Sequence, residues 1–200
     1  MKRTLEEAIS NRRSYYHINS DSPVEDDEII RITHEAVRHV PSAFNSQSTR
    51  IVLLLGEHHS KLWEIVKDTL KKMLPEEVFL NTRTKIDGSF ACGYGTVLFF
   101  EDTSVVTQFI QTYPLYSSNF KTWAQHTSAM HQFTIWTMLE DLGFGASLQH
   151  YNPLIDNEVK HTWNLPDEWE LIAQMPFGMP LSAPSEKTYK PLEERVKVFQ

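Results

Sequence analysis

The chain contains one cysteine, Cys92, in 200 residues. That excludes an intrachain disulfide and a cysteine metal cluster, and it implies a reducing compartment. No Lys/Arg-rich run stands out, and the formal charge is -7, so a nucleic-acid backbone is not an expected partner. The longest apolar runs, around Ile51–Leu55 and Val97–Phe100, are too short to span a bilayer. The N-terminus, Met1-Lys2-Arg3-Thr4-Leu5-Glu6-Glu7, turns polar at once, without the apolar stretch of a secretion signal. No membrane association and a cytoplasmic location are therefore expected. Internal repeats and low-complexity segments are absent from the sequence.

What is abundant is apolar and aromatic surface. Apolar residues make up 40% of the chain and aromatics 12%, with five Trp and eleven Phe. A disordered segment lacks that much surface to offset its ordering entropy. The length suits one domain, residues 1–200, with a substantial core. The aromatic content exceeds what a small monomer usually hides, which directs attention to flat ligands or a subunit interface.

Local patterns predict a mixed fold. Thr4 and Glu7 read as a capping box opening a helix to about Asn11. Ser22-Pro23 read as an N-cap and first helical position, with Glu25, Asp26, Asp27 and Glu28 favoured by the helix dipole. Ile29, Ile32, Val37 and Val40 give that helix an apolar stripe, and Pro41 stops it. Arg50–Leu55 predicts a buried strand closed by Gly56, and Thr96–Phe100 a second. Leu62, Ile65, Val66, Thr69, Leu70 and Met73 predict a third helix to about Leu74, whereas Pro75–Gly95 carries mixed signals. Asn119–Leu142 is the longest periodic stretch. Its apolar arc is too wide for a surface helix, which predicts a central, mostly buried helix with Gly143 at its end. Ala146–His150 and Glu170–Gln174 predict further strands, and a polar tail runs from Pro184 to Val196, Val198 and Phe199. Helices and strands do not alternate regularly, so the class is α+β, a small sheet flanked by helices.

Four clusters could carry chemistry. Arg12-Arg13-Ser14 follows the first helix, where two guanidiniums and a hydroxyl suit an anion. The same residues also read as an ordinary basic helix end. Pro41-Ser42-Ala43-Phe44-Asn45-Ser46-Gln47 joins a helix to a strand and offers amides and hydroxyls, as many polar loops do. Gly143 through Pro153 combines small residues that admit close backbone approach with polar side chains, and equally reads as a helix end entering a strand. Lys187-Thr188-Tyr189-Lys190-Pro191 carries two lysines three apart, able to reach one phosphate or to sit in solvent. The histidines do not assemble a metal site, since His126 and His131 are five apart rather than four. Cys92 lacks a CxxC partner and is expected to be buried.

Together, and in this order, the clusters resemble the flavin site of the nitroreductase superfamily. The runs Gly95–Asp102, Ala146-Ser147-Leu148-Gln149-His150-Tyr151-Asn152-Pro153 and Gln174-Met175-Pro176-Phe177-Gly178 are most similar to its fungal and Firmicute branch. The resemblance implies an FMN-dependent oxidoreductase with a small mixed sheet, a long buried central helix, and a homodimer exchanging C-terminal tails. It implies that Arg12, Ser14, Lys187 and Lys190 hold the flavin phosphate, with Arg13 assisting. It implies that Pro41, Ser42, Ala43, Asn45 and Gln47 line the ring from the neighbouring subunit, and that Leu148, Gln149 and His150 lie along its reactive edge. Asn81, Arg83 and Lys85 are candidates for the pyrimidine edge, Lys85 being preferred. Ser48-Thr49 stand where many relatives carry Pro-Trp, and Tyr16 stands at an often basic position.

The cycle implied is a ping-pong exchange. NAD(P)H reduces the flavin, and a nitroaromatic, quinone or similar electron-poor small molecule then reoxidises it, the cofactor carrying the chemistry. Phe44, Tyr116, Phe120 and Trp123 are candidates to shape the substrate slot, or plain packing residues. A flavin-binding redox sensor with little turnover and a flavin-free interaction domain are the competing readings.

Overall fold

In the computed structural model, which describes residues 3–200, seven α-helices and five strands surround a two-sided core. The helices are α1 (Leu5–Asn11), α2 (Asp26–His39), α3 (Glu57–Met73), α4 (Glu76–Ile86), α5 (Thr103–Thr112), α6 (Phe120–Asp141) and α7 (Asp156–Thr162). The strands are β1 (Ile18–Asn19), β2 (Thr49–Leu55), β3 (Gly95–Asp102), β4 (Gly145–Ala146) and β5 (Trp169–Pro180). The sheet runs β1-β5-β3-β2, with β4 pairing alongside β5. All its ladders are antiparallel. The parallel component is a single bridge, Ser14 to Ala146. The architecture is the expected α+β class.

The uninterrupted apolar run of β3 is explained by burial on both sides. Leu98 and Phe100 face a cluster with Leu62, Trp63, Val66, Ile86, Phe90 and Leu171. Val97 and Phe99 face Ile29, Ile32, Ile135, Leu139, Met175 and Phe177. The sheet is thus sandwiched between α3, α4 and α7 on one side and α2 and α6 on the other.

The capping box forms as read: Thr4 Oγ1 accepts from Glu7 N, and Glu7 Oε2 accepts from Thr4 N. The second helix differs from expectation. It begins at Asp26, because Ser22 Oγ donates to the Val24 carbonyl in a turn of its own and caps no helix. Its buried stripe is Ile29, Ile32, Thr33 and Ala36, while Val37 is exposed. Pro75–Gly95 resolves into α4 followed by a π-turn at Asp87–Ala91. Helix α5 has no clear stripe in a β-branched sequence; Asp102 starts it by accepting from Ser104 N and Val105 N. The strand expected at Ala146–His150 is only two residues long, continued by one bridge, Gln149 to Gln174.

Helix α6 is the spine. Thr127, His131, Ile135 and Leu139 are buried, Gly143 ends the helix at φ 96°, and Met130 and Phe133 are exposed on the opposite face.

Candidate functional site

Just beyond α1 the chain reverses along β4. Tyr15 N donates to Ala146 O at 3.0 Å, next to the Ser14–Ala146 bridge. Gly145 permits this approach, since a Cβ there would lie 2.7 Å from the Tyr15 ring carbon. The Arg12–Ser14 and Ala146–His150 clusters, whose bridged residues are 132 apart in sequence, are thereby brought edge to edge. Gln149 and Gln174 exchange backbone hydrogen bonds of 2.7 and 2.9 Å. The Gln174 side chain then accepts from Tyr151 N at 2.7 Å. That clamp fixes the segment carrying Leu148 and Gln149, both half-buried, and His150, which is exposed.

Arg12 lies against α6, its guanidinium carbon 4.5 Å from the Trp136 ring centroid and 5.9 Å from that of Phe133. Burial lowers its pKa and the neighbouring Arg13 charge adds to the effect. A guanidinium nevertheless stays charged. Arg12 Nε and Trp136 Nε1 are both buried donors without a partner. A half-buried cation, a like-charged neighbour and two orphaned donors form a setting that an anion completes. Arg13 donates to the Ser185 carbonyl, so the segment carrying Lys187 and Lys190 starts beside the same edge. Lys187 Nζ lies 5.2 Å over the Tyr189 ring, and both lysines are exposed. On α4, Arg83 is engaged by Asp87 at 3.3 Å, whereas Lys85 Nζ lies 5.8 Å over Phe90. The Phe90 ring in turn contacts that of Tyr16, two residues beyond Ser14, at 6.4 Å. Lys85 is thus linked to Tyr16 through the Phe90 ring.

The Pro41–Gln47 loop is not brought to it. Phe44 stacks with Trp123 at 6.0 Å near the start of α6, whereas Arg12 meets Trp136 near its end. Thirteen residues of helix separate those contacts, about 20 Å. The loop itself is held in an uncommon conformation. Phe44, Asn45 and Gln47 have φ of 55°, 54° and 49°, costly for side chains, above all for a bulky one. Ser42 Oγ accepts from Gln47 N at 3.0 Å and closes the loop. Phe44 is also caged by Tyr113, Tyr116 and Phe120 at 4.8, 5.7 and 5.5 Å.

The contributions of Trp136, Gln174 and Tyr113 were not anticipated in the sequence. Nothing in the spacing of a buried-helix tryptophan, a strand glutamine or a loop tyrosine marks it out. The histidines have local roles. His59 bonds Thr96 Oγ1 at 2.9 Å and the Ala91 carbonyl at 3.1 Å, and His131 bonds the Thr127 carbonyl at 3.0 Å. Cys92, half-buried, donates to the Ile18 carbonyl at 3.3 Å. Among the described residues no helix is long and apolar enough to cross a membrane.

Comparison with known proteins defines the class. The profile of the Nitroreductase family matches residues 9–179. Nitroreductase FRM2 of Saccharomyces cerevisiae is 33% identical over 184 residues, 91% of this chain and 91% of that protein. Nitroreductase CinD from Lactococcus lactis, solved in complex with nicotinic acid, is 39% identical with a TM-score of 0.91, over 98% of this chain and 100% of that one. A Desulfovibrio desulfuricans chain solved in complex with FMN shares the fold at 16% identity, with a TM-score of 0.71 over 100% of both chains. The chain belongs to the nitroreductase family. That makes it an oxidoreductase of an FMN-dependent family.

Proposed function

We propose that the protein is an NAD(P)H-dependent oxidoreductase, one domain per subunit over residues 1–200, working as a homodimer on small electron-poor aromatics. The observation that carries this reading is the buried, unpartnered Arg12 Nε in a cradle already zippered to the Ala146–His150 edge. FMN, when bound, supplies hydride transfer from NAD(P)H to the acceptor in two half-reactions.

This chain's residues bind and orient. Arg12 gives the phosphate a preorganised fork, stiffened by its stacking on Trp136. Arg13, Ser14, Lys187 and Lys190 complete the charge and hydrogen bonding around it. Backbone groups and side chains of Leu148, Gln149 and His150 line the reactive edge, kept in place by the Gln174 clamp. Lys85 brings positive charge to the pyrimidine edge, where negative charge develops on reduction. The 20 Å gap leaves Pro41, Ser42, Ala43, Asn45 and Gln47 to serve the partner's cofactor, which favours a site shared between subunits. Two further features favour the dimer. Edge strand β2 and helix α2 flank a groove of about 850 Å³, apolar along Ile30, Val37, Ile51 and Leu53. The tail exposes Leu192, Val196, Val198 and Phe199, apolar side chains that suit such a groove on a second copy. CinD has also been solved in complex with 4-nitrophenol, at 38% identity over 98% of this chain, which is consistent with a nitroaromatic acceptor here.

The test is the visible spectrum of the purified protein before and after anaerobic NADH or NADPH. Flavin bands that bleach and return with a nitroaromatic or quinone are the expected result. Bands that stay unbleached point to a redox sensor, and a colourless protein that FMN does not reconstitute overturns the proposal.

A further inference from the structure

Behind the Pro41–Gln47 loop, at the end of β3, stand two adjacent carboxyls in opposite environments. Asp102 is the outer one. Burial works against its charge, but hydrogen bonds from Ser104 and Val105 and the Arg50 charge outweigh it and hold its pKa low. Arg50 Nη2 donates to Asp102 Oδ2 at 2.9 Å, while Nη1 donates to the Gln47 and Thr49 carbonyls at 2.7 and 3.1 Å. Asp102 and Arg50 thus tie down the last residue of the loop from outside.

Glu101 is the inner one, only 5% exposed, and it lines a cavity of about 320 Å³ under α5 and α6. Its Oε2 accepts from Thr49 Oγ1 at 3.3 Å. The hydroxyl of Ser48, a residue with no exposed surface, is turned toward the same carboxyl. Neither Glu101 Oε1 nor Ser48 Oγ has a hydrogen-bond partner of good geometry. The charges facing Glu101 give an anion little support. Arg50 on β2 is committed to Asp102 and the loop carbonyls. On β5 the directly opposed residue is Glu170, of like charge. Lys121 of α6 lines the same cavity but is itself exposed, and α5 contributes the uncharged Thr103, Val106 and Thr107. A proton on Glu101 Oε1 donated to Ser48 Oγ would satisfy both orphaned atoms at once, without a buried charge.

We propose that Glu101 is a positioning residue for the flavin: as a neutral acid it anchors Ser48 and Thr49, and through them the ring-lining loop, and its ionisation releases that loop. The proposal rests on the flavin reading above. Burial raises the Glu101 pKa, against the weaker pull of the Ser48 and Thr49 hydroxyls and Arg50. The anchor is therefore complete at acidic pH and is lost as pH rises through the folded-state pKa.

The experiment compares the parent protein with Glu101→Gln, Glu101→Ala and Ser48→Ala between pH 5 and pH 9. FMN affinity is read by flavin fluorescence, and amide hydrogen-exchange protection of residues 43–48 is read without FMN. Glu101→Gln keeps a neutral hydrogen-bonding head. It should bind FMN like the parent at the acidic end of that range and hold that affinity to pH 9. The parent should weaken by roughly tenfold over the same range, about the worth of one hydrogen bond. Loop protection should fall with it. Glu101→Ala should be weak at every pH, and Ser48→Ala should lie between. Parallel profiles for the parent and Glu101→Gln would overturn this proposal alone. A parent that binds no FMN at any pH overturns the flavin reading and this one with it.

Discussion

Single side chains here are set by what burial does to their charge. Arg12 keeps its charge while half-buried beside Arg13, and its Nε has no protein partner. Arg12→Lys retains the charge but loses the fork and the stacking on Trp136. Its FMN affinity should fall on the order of 10- to 100-fold, the worth of one or two charge-assisted hydrogen bonds, with little change in apo-protein melting; equal affinity in a titration would remove Arg12 from the cradle. His59 and His131 show the opposite response. Burial lowers both pKa values, although each imidazole bonds a backbone carbonyl that pulls upward. Because the neutral form is favoured in the fold, their contribution to stability is full above the unfolded value near 6.5. It is lost as pH falls from there through the folded pKa. Urea midpoints should drop between pH 7 and pH 5, at up to about 1.4 kcal/mol per pH unit for each imidazole. His59→Gln should flatten that limb, and an unchanged slope would mean the imidazole is not the cause.

At the scale of elements, α6 links the core to both the Arg12 cluster and the Pro41–Gln47 loop. Its buried face, through Ile135 and Leu139, packs on the sheet. Its two ends carry Trp123 under the Phe44 loop and Trp136 under Arg12. Ile135→Ala should cost about 2–5 kcal/mol, as for other fully buried large-to-small changes, measurable as a lower urea midpoint with an unchanged slope. The sequence announced this helix well, since its apolar residues surround it and Gly143 ends it. Helices α4 and α5 were less legible, because one buries only Phe79 and Ile86 and the other is rich in β-branched residues. In both, tertiary packing overrode weak local signals, aided in α5 by the Asp102 cap.

For the molecule as a whole, several apolar features are left exposed. The exposed Met130 and Phe133 of α6, the apolar groove beside β2 and the apolar end of the tail all stand open to solvent. If two copies complete one another, ending the chain before Pro184 should give a monomer by light scattering at micromolar concentration. That species should also lose FMN, because Lys187 and Lys190 go with it. A truncated protein that remains a flavin-loaded dimer would show that the tail serves neither purpose.

The amino-acid sequence by itself determined the class, the capping of α1, the strand at Thr96–Phe100, the long central helix and the order of four polar clusters. These follow from periodicity, end chemistry and motif, which act over a few residues. Tertiary structure alone decided which clusters meet. A single bridge between Ser14 and Ala146 joins segments 132 residues apart, while helix α6 sets its Phe44 contact at Trp123 and its Arg12 contact at Trp136, about 20 Å apart along its axis. It also shifted the pKa values of Glu101 and Asp102, neighbours with the same chemistry, in opposite directions, since such shifts depend on surroundings that no local pattern specifies.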